Sequence, residues 1–224
     1  MSQEPSGVFD MLGPIMIGPS SSHTAGVVRI ARVVHALLGS APEEAQILFY
    51  NSFAMTYRGH GSDKAALAGL MGFSVDDTRI RDALSLAESQ GIRFTFEPVV
   101  SSAKNHPNTL VITARKGSQQ VQVEGISRGG GLILITGIDG MHTNFTGQLS
   151  TLIIRARDIR GAVAFLAAIL AYDNVNIATL TVSRRAKDDV ALQVYELDEP
   201  LRPASLAYIQ SLPWVYQAKL IDPV

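Results

Sequence analysis

Between Thr24 and Leu38 the apolar positions leave only one narrow polar stripe. Arg29, Arg32 and His35 recur at spacing three, and Val27, Val28, Ile30, Ala31, Val33, Val34, Leu37 and Leu38 fill the other faces. The pattern predicts an amphipathic helix, stopped by Gly39 where a left-handed residue closes the last turn. Residues 46–53, QILFYNSF, read as a strand. Ser62 or Asp63 is placed to cap a second helix reaching about Met71, with Gly72 after it. Asp76 or Asp77 caps a third that reaches Gln90, followed by Gly91. Strand patterns follow at 92–97, 109–115, 119–126 and 131–138, the second and third separated by KGS as a hairpin turn.

After residue 150 the alternation changes again. TLIIRARD is a strand, RGAVAFLAAILAYD a helix, and NIATLTVSR and DVALQVYELD two strands joined by a short polar turn. PASLAYIQSL is a helix with Pro203 at an early position, and WVYQAKLID is a last strand. The order β-α-β-β-α-β is the ferredoxin-like arrangement. Asp139–Gln148, rich in Gly, Thr and Asn, reads as a linker. The expectation is an α+β protein with an α/β domain over 1–145 and a ferredoxin-like domain over 149–224.

Composition narrows the function. The chain has 224 residues, 46% hydrophobic and 17% charged, with a formal net charge of -1. That balance allows a real core and offers no electrostatic footprint for nucleic acid or an anionic membrane. No apolar run reaches the roughly 18 residues a spanning helix needs. The N-terminal MSQEPSGVFDML lacks the basic and apolar regions of a secretory signal, so a cytoplasmic location is expected. There is no cysteine, which removes disulfides, a thiolate nucleophile and any cysteine-held zinc or iron–sulfur cluster within this chain.

The chemistry-bearing residues gather at helix beginnings. GPSSSHTAG at 18–26 places Ser20, Ser21, Ser22, His23 and Thr24 at the mouth of the first helix. Unpaired N–H groups and the positive end of the dipole favour an anion there, and an imidazole can donate a hydrogen bond or move a proton. Alternatively, Ser22 or Thr24 is an ordinary N-cap. RGHGSD at 58–63 repeats the arrangement with His60 between glycines and Asp63 in the next turn. Two such mouths in one domain favour a shared anion site over two caps. HPNT at 106–109 and GGG at 129–131 are further turn points. Of the five histidines, none has HxxxH or HExxH spacing, so no metal ligands are assigned. His35 shares the arginine stripe and reads as a solvated residue, and His142 lies in the linker. No GxSxG elbow and no GxGxxG opening a helix occurs.

MLGPIMIGPSSSHTAG followed by NSFAMTYRGHGSDKAALAGL closely resembles the beta subunit of the bacterial iron–sulfur-dependent L-serine dehydratases, over essentially the whole chain. TLIIRARDIRGAVAFLAAILAYDNVNIATLTVSRR resembles an ACT domain, a small module that often binds amino acids. Its ligand candidates are Asp158, Gly161 and Asn176. It departs at Arg160, where many ACT domains have proline. The resemblance implies conversion of L-serine to pyruvate and ammonia with a [4Fe–4S] cluster, whose iron acts as a Lewis acid on the departing hydroxyl. With no cysteine here, the cluster is expected on a partner alpha subunit. The resemblance also implies an N-terminal domain of the allosteric-substrate-binding type, presenting its SSSHT and GHGSD loops to that active site. His23 and His60 are carried over as catalytic candidates, and Ser20, Ser21, Ser22, Thr24 and Asp63 as substrate-binding candidates. Self-association through ACT domains is expected. The competing expectation is a regulatory module that holds an amino acid or anion and supplies no catalytic residue.

Overall fold

The computed structural model describes residues 15–101 and 106–224. The N-terminal stretch read for a secretory signal, and the MLGP that opens the first family motif, lie outside them. The chain divides into two compact units, 1–134 and 135–224, and the division falls inside a strand.

In the first unit a π-helical turn, Ser21–Ala25, runs straight into α1, Gly26–Leu38. Gly39 ends α1 with φ of 82° and donates its N–H to the His35 carbonyl, as the pattern predicts. Strand β1 is Glu44–Tyr50. It stops earlier than expected because Asn51 takes φ 52° and ψ −110°, and Ser52–Thr56 then forms a short helix, α2. Helix α3 is Ser62–Leu70. A 3₁₀ turn capped by the Asp77 side chain (Thr78–Asp82) leads into α4, Ala83–Ser89. The strands β2 (Arg93–Val99), β3 (Thr109–Lys116), β4 (Gln119–Gly129) and the start of β5 (Leu132–Ile138) complete the unit.

The sheet runs β2-β1-β3-β4-β5. β1 and β2 are parallel, with Ile47 opposite Phe96, so the chain between them crosses over through α3 and α4. The other face-forming pairs, β1 with β3 and β3 with β4, are antiparallel. Ala45, Ile47 and Phe49 of β1, Leu110, Ile112 and Ala114 of β3, and Val121 and Val123 of β4 are buried. In β1 and β4 they alternate with more exposed positions, as period-two strands require, whereas β3 is buried on both faces from Thr109 to Ile112. Helix α1 packs on β3, β4 and α3. Burial of Val27, Val28, Ile30, Ala31, Val33 and Val34 explains why α1 tolerates so many β-branched residues.

In the second unit the last residues of β5 pair antiparallel with β6, Met141–Phe145. The expected linker is therefore partly a strand. Met141, Thr143 and Phe145 point inward and His142 and Asn144 outward, an alternation too short to stand out between Gly140 and Gly147. The unit continues β7 (Ser150–Arg157), α5 (Ala162–Tyr172), β8 (Ile177–Arg184), β9 (Val190–Leu197), α6 (Pro203–Ser211) and β10 (Val215–Ile221). This is the β-α-β-β-α-β order expected, in a sheet ordered β10-β7-β9-β8. Its core joins Leu152, Ile154 and Tyr195 of the sheet to Leu166 and Leu170 of α5 and Ile209 of α6.

Candidate functional site

Ser20 starts the site. Its backbone is extended, and its Oγ accepts from the His23 N–H at 3.1 Å while lying 3.4 Å from His23 Nδ1. The carbonyl of Ser20 accepts from the Thr24 N–H at 2.8 Å. The serine thus acts as the N-cap, and its hydroxyl also touches the imidazole it positions. The capping role considered for Ser22 or Thr24 belongs to Ser20.

The GHGSD loop closes on this turn. Gly61 takes φ 67° and precedes α3 directly, so neither Ser62 nor Asp63 caps that helix by its side chain. Instead Ser62 Oγ donates to the His23 carbonyl at 2.7 Å, and Thr24 Oγ1 donates to the His60 carbonyl at 3.0 Å. These reciprocal bonds bring the two imidazoles together, with ring centroids 4.8 Å apart. Phe53 of α2 places its ring edge-to-face on His23 at 4.9 Å and is fully buried. Asp63 Oδ1 accepts from the Lys64 N–H.

Each histidine keeps one ring nitrogen, Nε2 of His23 and Nδ1 of His60, buried and without a hydrogen-bond partner. Burial lowers the proton affinity of His23 below the ordinary imidazole value, and the neighbouring His60 adds to the effect. A neutral ring whose Nε2 faces no protein partner can accept or deliver a proton to a bound molecule.

The other turn points take supporting places. His106 Nδ1 accepts from the Asn108 N–H, and the Asn108 carbonyl accepts from the Ser127 N–H. His35 is not solvated as expected. Its Nδ1 lies 2.8 Å from the Leu70 carbonyl, and its ring packs against Gly72. The stripe's C-terminal member thus faces the end of α3 instead of water. Among the described residues no three His, Cys, Asp or Glu side chains come together to hold a metal ion. Two contributors had no signal in the residue spacing, Phe53 and the Ser62 hydroxyl, because both depend on contacts across the fold.

The second unit's candidates are spread apart. Asp158 accepts from Arg184 Nη1 at 2.9 Å and from the Asp188 N–H, and the Arg184 hydrogen bond holds its carboxyl below the usual carboxylate range. Gly161, with φ 80°, opens α5, whereas Asn176 lies beyond its far end and donates to Asp198 at 2.6 Å. Helix rise over the eleven residues of α5 separates the two ends by about 16 Å. Beside Gly161 is an open concavity of about 310 Å³ lined by Ile159, Arg160, Gly161, Ala162, Phe165 and Trp214.

No helix among the described residues is long and apolar enough to cross a membrane. The family model for the serine dehydratase beta chain matches residues 7–137. A Bacillus subtilis (strain 168) protein named "Probable L-serine dehydratase, beta chain" is 39% identical over 96% of this chain and 97% of its own. The "L-serine dehydratase, beta chain" of Peptoniphilus asaccharolyticus is 31% identical over 96% of this chain and 97% of its own. A D-3-phosphoglycerate dehydrogenase of B. subtilis (strain 168) is 29% identical over 71% of this chain and 30% of its own. A family match over more than half the length, joined to near full-length relatives that carry the same beta-chain name, shows that this chain belongs to the serine dehydratase beta chain family.

Proposed function

We propose that this chain is one subunit of a heteromeric L-serine dehydratase and that its two histidine-bearing helix mouths face the substrate. The observation that carries the reading is the pair of buried, unpartnered nitrogens, His23 Nε2 and His60 Nδ1, on rings 4.8 Å apart. Buried polar atoms are normally satisfied, so two orphans side by side support a ligand there. The relatives' names point to its identity, L-serine, and to a dehydratase reaction; pyruvate and ammonia as products are what the family resemblance implies.

Within that reading the hydroxyls divide their work. Ser20 Oγ is engaged with His23, Thr24 Oγ1 with the His60 carbonyl and Ser62 Oγ with the His23 carbonyl. Ser21 and Ser22, at the positive end of the helix dipole, are the hydroxyls for the substrate carboxylate. His23, held neutral by burial, hydrogen-bonds the bound serine through Nε2 and can take a proton. His60 completes the proton-handling pair. Phe53 keeps water from the His23 ring.

The [4Fe–4S] cluster implied by the family resemblance does not fit this chain. It needs thiolate ligands, and there is no cysteine to give one. The cluster is assigned to an alpha subunit, and this subunit alone is inactive. A cytoplasmic location goes with the reading. The second unit is read as an ACT domain by its element order, with Asp158, Gly161 and Asn176 as ligand candidates. Its self-association is supported by α5, which has no charged residue in eleven and leaves Phe165 and Tyr172 exposed.

The test is anaerobic reconstitution with a cysteine-bearing alpha chain, followed by a pyruvate assay on L-serine. Activity only in the mixture, lost in an intact His23→Ala complex, supports the reading. Activity of this chain alone overturns it. A His23→Ala complex with full turnover but a shifted serine-response curve transfers the site to regulation.

A further inference from the structure

The turn Gly129–Gly131, where β4 gives way to β5, lies against Ser22, the residue before His23. Its three glycines take φ of 96°, 60° and 80°, a left-handed run that residues with side chains avoid. Such a backbone persists where its surroundings hold it. Here the holder is one face of the helix that begins at the SSSHT turn, on which Ser22, Gly26 and Arg29 follow at spacings of four and three. A Cβ at Gly129 would stand 3.8 Å from Ser22 Oγ. Gly26 lies so close to Ser127 that a Cβ would overlap the serine hydroxyl. Arg29 Nη1 donates to the Gly131 carbonyl at 2.7 Å. The Arg29 Nε is buried without a partner, so the hydrogen bond to the turn is the principal return for desolvating this guanidinium.

We propose that the Gly129–Gly131 turn is a third wall of the His23–His60 site and that Arg29 is the positioning residue that seats it against Ser22. A wall of glycine offers main-chain N–H and C=O groups at close range. That suits the zwitterionic head of a small amino acid, which carries an ammonium and a carboxylate on one carbon. The ligand assignment rests on the proposed substrate reading; the seating by Arg29 does not.

The test uses ¹⁵N-labelled full-length chain, wild type and Arg29→Met. In Arg29→Met the amide signals of Ser22, His23 and Gly129–Gly131 shift together, and amide exchange in the turn speeds up about tenfold or more, while the far-ultraviolet dichroism is unchanged. In the complex with the alpha chain, Arg29→Ala raises the KM for L-serine by about tenfold with a smaller change in kcat, and added guanidinium restores part of the loss. If Arg29→Met does not fold, Gly130→Ala at φ 60° reads the same wall, and a raised KM is again expected. Unchanged Ser22 and turn signals in a folded Arg29→Met overturn the seating, and an unchanged KM in Arg29→Ala or Gly130→Ala overturns the wall. A wild-type complex that makes no pyruvate removes the substrate reading instead, and the amide signals still decide the seating.

Discussion

Ser62 Oγ donates a 2.7 Å hydrogen bond to the main-chain carbonyl of His23, across 39 positions of sequence. With the Thr24 hydroxyl donating in return to the His60 carbonyl, each loop orients the backbone beneath the other loop's histidine. Ser62 is fully buried, so its removal strands a carbonyl away from water. Ser62→Ala is expected to cost about 1–2 kcal/mol, measured by urea denaturation. Thr24→Val is expected to cost a similar amount. Because both bonds fasten the same two loops, the double variant should lose less than the sum, a coupling of about 0.5 kcal/mol or more in the cycle. Strict additivity would mean the two bonds act independently.

The stability of the chain should fall on mild acidification, and two histidines set the direction. Burial lowers the pKa of His23, with His60 adding to it, and burial lowers that of His106, with Arg128 adding to it. Both bind a proton more readily when the chain is unfolded. Their contribution is therefore fully present above the unfolded value near pH 6.5 and is lost as pH falls through it toward the folded values. Thermal melts between about pH 8 and pH 5 should show this decline, and a His23→Gln, His106→Gln variant should flatten it. An equally steep decline in that variant would place the titrating groups elsewhere.

How much of this was legible from sequence depends on how local each cause was. The apolar faces of α1 and its Gly39 stop lie within one helix, and the His23 and His60 mouths carry their hydroxyls and glycines beside them. The structure brings those two mouths together. The parallel pairing of β1 with β2 is non-local, and no run of residues announces it. His35 was misread for the same reason. A polar stripe normally faces water, and only the packing of α3, with the Leu70 carbonyl and Gly72 at its end, shows otherwise. The strand β1 was overextended because Phe53 looks like strand sequence, while Asn51 turns the chain by its own backbone conformation.

In the second unit Glu196 is 3% exposed and accepts three hydrogen bonds, from the Thr146 N–H at 2.8 Å, Thr146 Oγ1 at 2.7 Å and Thr179 Oγ1 at 2.8 Å. It thereby ties the segment after β6 to the sheet. Glu196→Gln keeps the shape, and its amide nitrogen can donate to the Thr179 hydroxyl, but it removes the negative charge that strengthens all three bonds. A loss of about 2 kcal/mol is expected, read from the denaturation midpoint, with faster amide exchange at Thr146. Exchange there unchanged from wild type would show that the segment is held by other contacts.

The crossing of α1 over α3 depends on Gly69, and two glycines separate the possible reasons for needing one. A Cβ at Gly69 would overlap the Val28 carbonyl oxygen and stand 2.6 Å from Ala31 Cβ. The obstruction includes backbone, so α1 and α3 must part to admit it. Overpacking of this kind costs about 1–3 kcal/mol, against about 1 kcal/mol gained from replacing glycine by alanine inside a helix. With main chain in the way the upper figure applies, and Gly69→Ala is expected to lose about 2 kcal/mol net. Gly91 is the contrasting case, with φ 72° and open space where a Cβ would go. Gly91→Ala should lose about 1 kcal/mol from its left-handed backbone alone. Asparagine tolerates that backbone, so Gly91→Asn should recover most of the loss, while Gly69→Asn should be worse than Gly69→Ala. Parting the helices also carries His23 away from His60. In the reconstituted complex Gly69→Ala should therefore lower turnover of L-serine, and Gly91→Ala should leave it intact. Equal turnover losses at the two positions would show that the crossing does not set the spacing of the histidines.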